Sequence, residues 1–314
     1  MKSSLKIPTI GFGTAPLATP PAWNSGELIP ETQAVEALEF AYENGITYFD
    51  TAPNYGKGLA ESRTGLVIGQ LPRERITIAT KVGFDISGDT VQRDYSRDGI
   101  LRSLEGSLKR LKVDSIDILH VHDPDFHFDE VVTHTLPTLV ELRRQGVIKA
   151  IGAGMNQWEM LLRFSETNMF DCFMIASRYT LLEQGALPLL KHSFEKNIPI
   201  IAASIYNSGI LATGTHTSTP RYNHGQAPIE VIERIGRIET ICDSFSIPLH
   251  VAANQFPLAN PAIQSIVVGF QKPSEVQTCL DAIQQDIPPA FWETLQAEHL
   301  IISEAPIPKV DHYE

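Results

Sequence analysis

The stretch Ile46-Thr47-Tyr48-Phe49-Asp50-Thr51-Ala52-Pro53-Asn54-Tyr55-Gly56 decides how this chain reads. Its first four residues form an apolar, β-prone run that predicts a strand. The strand stops on an acid, and a tyrosine follows five residues later. A second run, Ile76-Thr77-Ile78-Ala79, stops on Thr80-Lys81, and a third, from Ile116 to Val121, stops on His122. If the three strands are parallel neighbours, a carboxylate, a phenol, an ammonium and an imidazole meet at one end of a sheet. Those are the parts of a proton-transfer site.

The pattern continues in both directions. Strands are predicted at 9–12, 46–49, 76–80, 116–121, 148–151, 173–176, 198–203 and 265–268. Helices are predicted at 31–43, 59–68, 97–111, 129–144, 158–166, 181–196, 229–245 and 274–285. Strand–helix alternation without a hairpin signal predicts parallel βαβ units. Asn44-Gly45, Gln145-Gly146 and Asn197 lie between a helix and the next strand, where C-caps belong. Eight units predict an α/β fold, a (β/α)8 TIM barrel, as one domain over 1–314 with a C-terminal helix and tail from about 286. Its active site belongs at the C-terminal ends of the strands. An open doubly wound sheet is the alternative. It calls for Gly-x-Gly-x-x-Gly, and Gly11-Phe12-Gly13-Thr14-Ala15-Pro16 has proline in the third glycine's place.

Composition narrows the function. The 314 residues are 43% hydrophobic, enough for a large core. The formal net charge of -12, with no basic run, argues against nucleic acid and anionic membrane as partners. Cys172, Cys242 and Cys279 are sparse and lack metal-ligand spacing, which suits a reduced, cytoplasmic compartment. No apolar signal region or membrane-length run is expected. Two long connections, 14–30 with Trp23 and 207–228 with Tyr206 at its edge, are expected to cover a substrate.

A free phenol titrates near pH 10, but a neighbouring ammonium favours the phenolate. Lys81 is therefore expected to bring the Tyr55 phenol toward neutrality, with Asp50 keeping Lys81 charged and oriented. His120 and His122, two apart on one strand, share a face. That pair admits a metal-dependent hydrolase with Lys81 as a metal-bridging modified lysine. Lys81 also admits a Schiff-base reading. In Gly152-Ala153-Gly154-Met155-Asn156-Gln157 the small residues leave room for a planar ligand, and the Asn156 amide suits a carboxamide. Gly269, Lys272 and Ser274, ahead of a helix, suit a phosphate.

Together, Asp-Thr-Ala-x-x-Tyr-Gly, the strand-end lysine and Asp-x-x-x-x-His-x-Pro resemble the aldo-keto reductase family. The likeness runs from Gly11-Phe12-Gly13 to the helix after Gly269. The resemblance implies a (β/α)8 barrel enzyme that uses NAD or NADP on a small molecule, without metal. It implies a catalytic tetrad of Asp50, Tyr55, Lys81 and His122. It places the cofactor at Gly13, Thr14, Asn156, Ser204, Gly209, Leu211, Gly269, Gln271, Lys272 and Glu275. It places the substrate at Trp23, Tyr55, His122 and Tyr206. Gly154-Met155-Asn156-Gln157, Arg178-Tyr179-Thr180-Leu181-Leu182, Asn207-Ser208-Gly209-Ile210-Leu211 and His122-Asp123-Pro124-Asp125 are similar to the aldose 1-dehydrogenase group. That group includes L-fucose dehydrogenases and pyridoxal 4-dehydrogenase, and it implies oxidation of a cyclic hemiacetal to a lactone. Two departures stand out. Gln271, Glu275 and Cys279 replace the family's arginine, glutamine and asparagine, which weakens a grip on a 2′-phosphate and implies NAD. Ala203 replaces a tyrosine that stacks on nicotinamide, a place Tyr206 is positioned to take. A non-catalytic regulatory barrel, like the channel-associated β subunits, is the rival on the same scaffold.

Overall fold

The computed structural model describes residues 6–18, 28–217 and 219–308. Eight strands close into a barrel: β1 Ile10–Gly13, β2 Tyr48–Asp50, β3 Thr77–Val82, β4 Ile116–His122, β5 Ile148–Met155, β6 Cys172–Ala176, β7 Ile200–Ala203 and β8 Ile263–Gly269. Their order around the barrel is their order in the chain, with β1 beside β8. All eight lie where the sequence predicts a strand. The helices are α1 Glu31–Glu43, α2 Leu59–Ile68, α3 Arg97–Leu111, α4 Leu136–Arg144, α5 Trp158–Ser165, α6 Leu187–Glu195, α7 Ile229–Phe245, α8 Leu249–Leu258, α9 Pro273–Gln284 and α10 Pro289–Ala297. Gly45 (φ +90°), Gly146 (φ +79°) and Asn197 (φ +53°) take the left-handed conformation that ends a helix before a strand.

Four local differences have physical reasons. The helix predicted at 129–144 is broken: Phe128–Glu130 is α, Val131–Thr135 is π, and α4 follows. Pro137 in the first turn of α4 has no N–H to give, and the backbone widens just before it. The helix predicted from 181 begins only at Leu187. Thr180 Oγ1 accepts from the backbone N–H groups of Leu182 (3.2 Å) and Glu183 (3.0 Å) and folds that segment into a turn. Helix α8 was not expected, because it carries Pro257 and buries most of its circumference instead of one stripe. Two short hairpins, Phe84–Asp85 with Gln92–Arg93 and Arg221–Tyr222 with Gly225–Gln226, are too brief to leave an alternating pattern.

By contacts the chain forms two compact units, residues up to 174 with 267–276, and residues 175–266 with 277 onward. The first contains β1–β5. Its register aligns Gly13 with Asp50, Asp50 with Ala79, Lys81 with His120, and His122 with Gly154. Buried acids tie adjacent elements of this unit. Asp117 on β4 accepts from the Ile78 N–H (2.8 Å) and pairs with Arg73 (2.7 Å) and Lys149 (2.6 Å). Asp171 accepts from the Ile151 N–H (2.8 Å) and pairs with Arg143 (2.7 Å). Buried Glu61 on α2 accepts from Arg110 Nε on α3 (2.7 Å) and from Thr80 Oγ1 on β3 (2.6 Å). The second unit contains the 207–228 connection, where Thr180 Oγ1 donates to Asn207 Oδ1 (2.6 Å).

Helices α2 and α3 meet at Gly65. A Cβ there would stand 2.1 Å from the Arg110 carbonyl oxygen and 2.9 Å from the Leu111 Cα. Both neighbours are backbone and cannot rotate aside. Gly65→Ala is therefore expected to lower the free energy of unfolding by about 1–3 kcal/mol, read from urea denaturation. Unchanged stability would show that the two helices separate without cost.

Candidate active site

The register brings three strand ends together. Lys81 Nζ donates to Asp50 Oδ1 at 2.6 Å and to the Thr51 carbonyl at 2.8 Å. Lys81 is 2% and Asp50 3% exposed, so this ion pair is almost dry. Tyr55 sits in the turn after β2, and its ring centroid lies 5.0 Å from Lys81 Nζ. The Tyr55 ring meets the His122 imidazole edge-on, with centroids 6.0 Å apart and planes at 86°. Asp50, Tyr55, Lys81 and His122 thus form one cluster.

The charges in that cluster follow from burial and pairing. Burial works against the Lys81 ammonium, yet Asp50 and then Tyr55 outweigh it and hold its pKa above the ordinary value. The Asp50 carboxyl is raised by burial, against the opposing pull of Lys81. The Tyr55 phenol is also raised: burial dominates, Lys81 pulls it down, and Asp50 pushes it up again. This corrects the expectation that Lys81 brings the phenol toward neutrality. In this environment desolvation exceeds the ammonium's help, and Tyr55 rests as a phenol. Burial, then Lys81, depresses His122 well below its ordinary value, so the imidazole is neutral. His120 is pushed down to about 3 by the same two causes.

His120 explains a glycine. A Cβ at Gly152 would stand 2.2 Å from His120 Nδ1. The small residue therefore seats a buried imidazole, where the sequence reading had it admit a planar ligand. Tyr95 and Phe84, both beside His122, escaped that reading. The Tyr95 hydroxyl lies 2.7 Å from the His122 carbonyl and 2.8 Å from the Asp123 carbonyl, and Thr135 Oγ1 on the π turn donates to the Tyr95 carbonyl (2.6 Å). Phe84 meets the imidazole edge-on at 5.2 Å. Asp123 Oδ2 is 3.8 Å from His122 Nε2, and burial followed by Asp125 raises its carboxyl to about 6. Asp123 belongs to the His122-Asp123-Pro124-Asp125 motif. Phe84 and Tyr95 left no sequence signal, because the hairpin and the loop path that deliver them are tertiary features. Among the described residues, no three His, Cys, Asp or Glu side chains group as a metal site.

The profile of the aldo/keto reductase family matches residues 9–298. The chain belongs to that family. It is 35% identical to D-threo-aldose 1-dehydrogenase of Pseudomonas sp, over 95% of this chain and 96% of that one. It is 33% identical to pyridoxal 4-dehydrogenase of Microbacterium luteolum, over 96% of both. The fold matches the holo form of an aldo-keto reductase from Bacillus halodurans with a TM-score of 0.78, at 22% identity over 96% of this chain and 94% of that one. As an aldo-keto reductase the chain is an oxidoreductase that acts on CH–OH and carbonyl groups of small molecules with a nicotinamide cofactor.

In the first unit, Gly13 ends β1, and the next hydroxyl, Thr14 Oγ1, is buried without a partner, as is Thr51 Oγ1. Unspent hydrogen-bonding groups at strand ends fit a polar cofactor. Asn156 follows β5 and is half-buried. A Cβ at Gly269 would stand 2.6 Å from Pro16 Cγ. Gln271 is engaged: its Nε2 donates to the Pro16 carbonyl (2.9 Å), and its own carbonyl accepts from Gln33 (3.0 Å). Glu275, in the first turn of α9, accepts from the Gln271 N–H (2.7 Å) and lies 4.0 Å from Lys272 Nζ. In the second unit, Ser204 (φ +52°) and Gly209 (φ +100°) are left-handed, and Leu211 is buried. The Tyr206 hydroxyl accepts from Asn254 Nδ2 on α8 (2.6 Å). Trp23 lies outside the described residues. No helix among the described residues is long and apolar enough to cross a membrane.

Below about pH 6.5 the unfolded chain protonates His120, whereas the folded chain resists down to about pH 3. Acid in that window therefore weakens the fold. His120→Leu is expected to flatten the decline in unfolding free energy between about pH 6.5 and about pH 4, followed by urea denaturation. A decline as steep as in wild type would show that the imidazole is not desolvated.

Proposed function

We propose that the chain is an NAD-dependent aldose 1-dehydrogenase that oxidises a cyclic hemiacetal, such as L-fucose, to its lactone. The observation that carries the reading is the dry Lys81–Asp50 pair set 5.0 Å from the Tyr55 ring, with neutral His122 at the edge of that ring. The substrate class is supported by likeness to D-threo-aldose 1-dehydrogenase along nearly the whole chain. Pyridoxal oxidation is the second reading, favoured by the 33% identity to pyridoxal 4-dehydrogenase. General aldehyde reduction uses the same groups in the opposite sense on an open carbonyl, with hydride added to the aldehyde carbon and a proton to its oxygen to give an alcohol.

Tyr55, Lys81, Asp50 and His122 carry the proton chemistry in this proposal. A bound nicotinamide supplies the hydride donor or acceptor. In reduction, the Tyr55 hydroxyl gives its proton to the carbonyl oxygen, and Lys81 stabilises the phenolate left behind. His122, neutral, donates from its ring N–H to the same oxygen and steadies the charge that develops there. Asp50 keeps Lys81 charged and aimed. In oxidation the proton runs the other way, from the hemiacetal hydroxyl to the Tyr55 oxygen. Because burial raises the Tyr55 pKa, the base form is scarce at neutrality. Oxidation should therefore quicken as pH rises, and reduction should persist on the acid side.

Tyr55→Phe is expected to lower kcat by about a hundred- to ten-thousandfold in both directions, with cofactor binding retained by fluorescence titration. Near-wild-type turnover would remove Tyr55 from the mechanism. For the cofactor, the Glu275 carboxylate already holds the Gln271 N–H at the start of α9, and it repels a 2′-phosphate while accepting from ribose hydroxyls. The expected result is at least about a tenfold higher kcat/KM with NAD than with NADP, measured against aldoses and pyridoxal in parallel. A tenfold preference for NADP would overturn the cofactor assignment.

A further inference from the structure

Next to the cluster stands a carboxylate that the proposed proton chemistry does not use. Asp123 follows His122, and its Oδ2 approaches His122 Nε2 to 3.8 Å, beyond hydrogen-bonding range. Its side chain is 36% exposed beside an imidazole that is 9% exposed. Among the described residues nothing hydrogen-bonds to its carboxylate. Its charge is nonetheless felt at the Tyr55 phenol. The group therefore lies within electrostatic reach of both members of the cluster that would face a substrate.

The backbone is bent to put it there. Asp123 has φ +43°, a left-handed conformation in a non-glycine residue, directly before Pro124. Such a conformation is retained only where surrounding bonds enforce it. Here the Asp123 N–H donates to the Gly154 carbonyl (3.0 Å), and the Tyr95 hydroxyl reaches the Asp123 carbonyl (2.8 Å).

Two simple roles for the carboxylate fail. It does not activate Tyr55, because a nearby negative charge makes the phenolate harder to form, and Asp123 acts in that direction. It does not charge His122, whose pKa is depressed and not raised. A group that opposes the base and leaves the imidazole neutral needs a different purpose. The half-buried Phe84 ring lies against the same imidazole at 5.2 Å. A carboxylate with open acceptor positions and an aromatic ring, both beside His122 and with the Arg93 guanidinium over the ring at 5.9 Å, match a ligand that has hydroxyl donors and C–H faces. That is a polyhydroxylated carbon chain or ring.

We propose that Asp123 is a substrate-specificity residue: its carboxylate accepts hydrogen bonds from the hydroxyls next to the reacting carbon, while Phe84 takes the C–H face of the same molecule. The inference rests on the aldose reading and names the feature of an aldose that the site recognises. An aldehyde without those hydroxyls leaves the carboxylate desolvated and unpaired, which is the situation in which an enzyme discriminates most strongly.

The test compares reduction of glyceraldehyde and of propanal by wild type and by Asp123→Asn. Asparagine keeps the shape and tolerates the left-handed backbone, so the fold is preserved. Wild type is expected to favour glyceraldehyde. In Asp123→Asn the ratio of the two kcat/KM values should fall by about ten- to a hundredfold, mainly through KM for glyceraldehyde. An unchanged ratio, including equal losses on both substrates, overturns the proposal and leaves Asp123 as a support for His122. A wild type with no preference for glyceraldehyde overturns it as well. Failure of the aldose reading is seen separately, as wild type that reduces neither NAD nor NADP with any aldose.

Discussion

The contact on which the rest of the site depends is the pair between Lys81 Nζ and Asp50 Oδ1, 2.6 Å apart and nearly sealed from water. Taking two charges out of water costs several kcal/mol each, and only close pairing offsets that cost. A second hydrogen bond of the ammonium, to the Thr51 carbonyl, offsets part of what remains. Once Lys81 is fixed, its charge acts on every other ionisable group nearby. It opposes the rise of the Tyr55 phenol, and it helps to keep His120 and His122 neutral. Removing either member would leave a buried charge alone, which is far more damaging than never having had the pair.

The pair exists because of register. Parallel pairing sets Asp50 against Ala79 and Lys81 against His120, so Lys81 stands two residues beyond the level of Asp50, and His122 two residues beyond the level of Lys81. A slip of one residue would turn Lys81 to the other face of the sheet. Buried acids such as Asp117, bridging the Ile78 N–H, Arg73 and Lys149, resist such a slip. His122 is held by a longer chain of causes. Pro137 opens the helix into a π turn, that turn carries Thr135, Thr135 holds Tyr95, and Tyr95 reaches the backbone on either side of the His122–Asp123 bond.

Legibility followed the range of the physics involved. The eight barrel strands were readable because each is a short apolar run between breakers, and α1, α3 and α7 because each shows a helical stripe. Helix α8 was not, since its apolar residues and Pro257 resemble neither pattern. Asp50, Lys81 and His122 were readable at the ends of their strands, and Tyr55 in the turn that follows β2. Their protonation was not. A lysine near a tyrosine predicts a lowered phenol pKa, and only burial, which has no local signature, reverses the sign. Gly152 was misread for the same reason, because the His120 ring that needs its space comes from another strand.

By itself, then, the sequence determined the alternation of strands and helices, the family, and the identity of the acid, phenol, ammonium and imidazole at the strand ends. These depend on local pattern and on residue type, which the chain carries directly. Tertiary structure alone decided how far apart those groups stand, which of them are dry, and which neighbours turn toward them. Asp123, Phe84 and Tyr95 belong to that second category. Their positions come from a left-handed residue, a two-residue hairpin and a π turn, whose effects appear only when distant segments pack. Distance and desolvation set the strength of every charge in the site, and neither is written in any one segment of the chain.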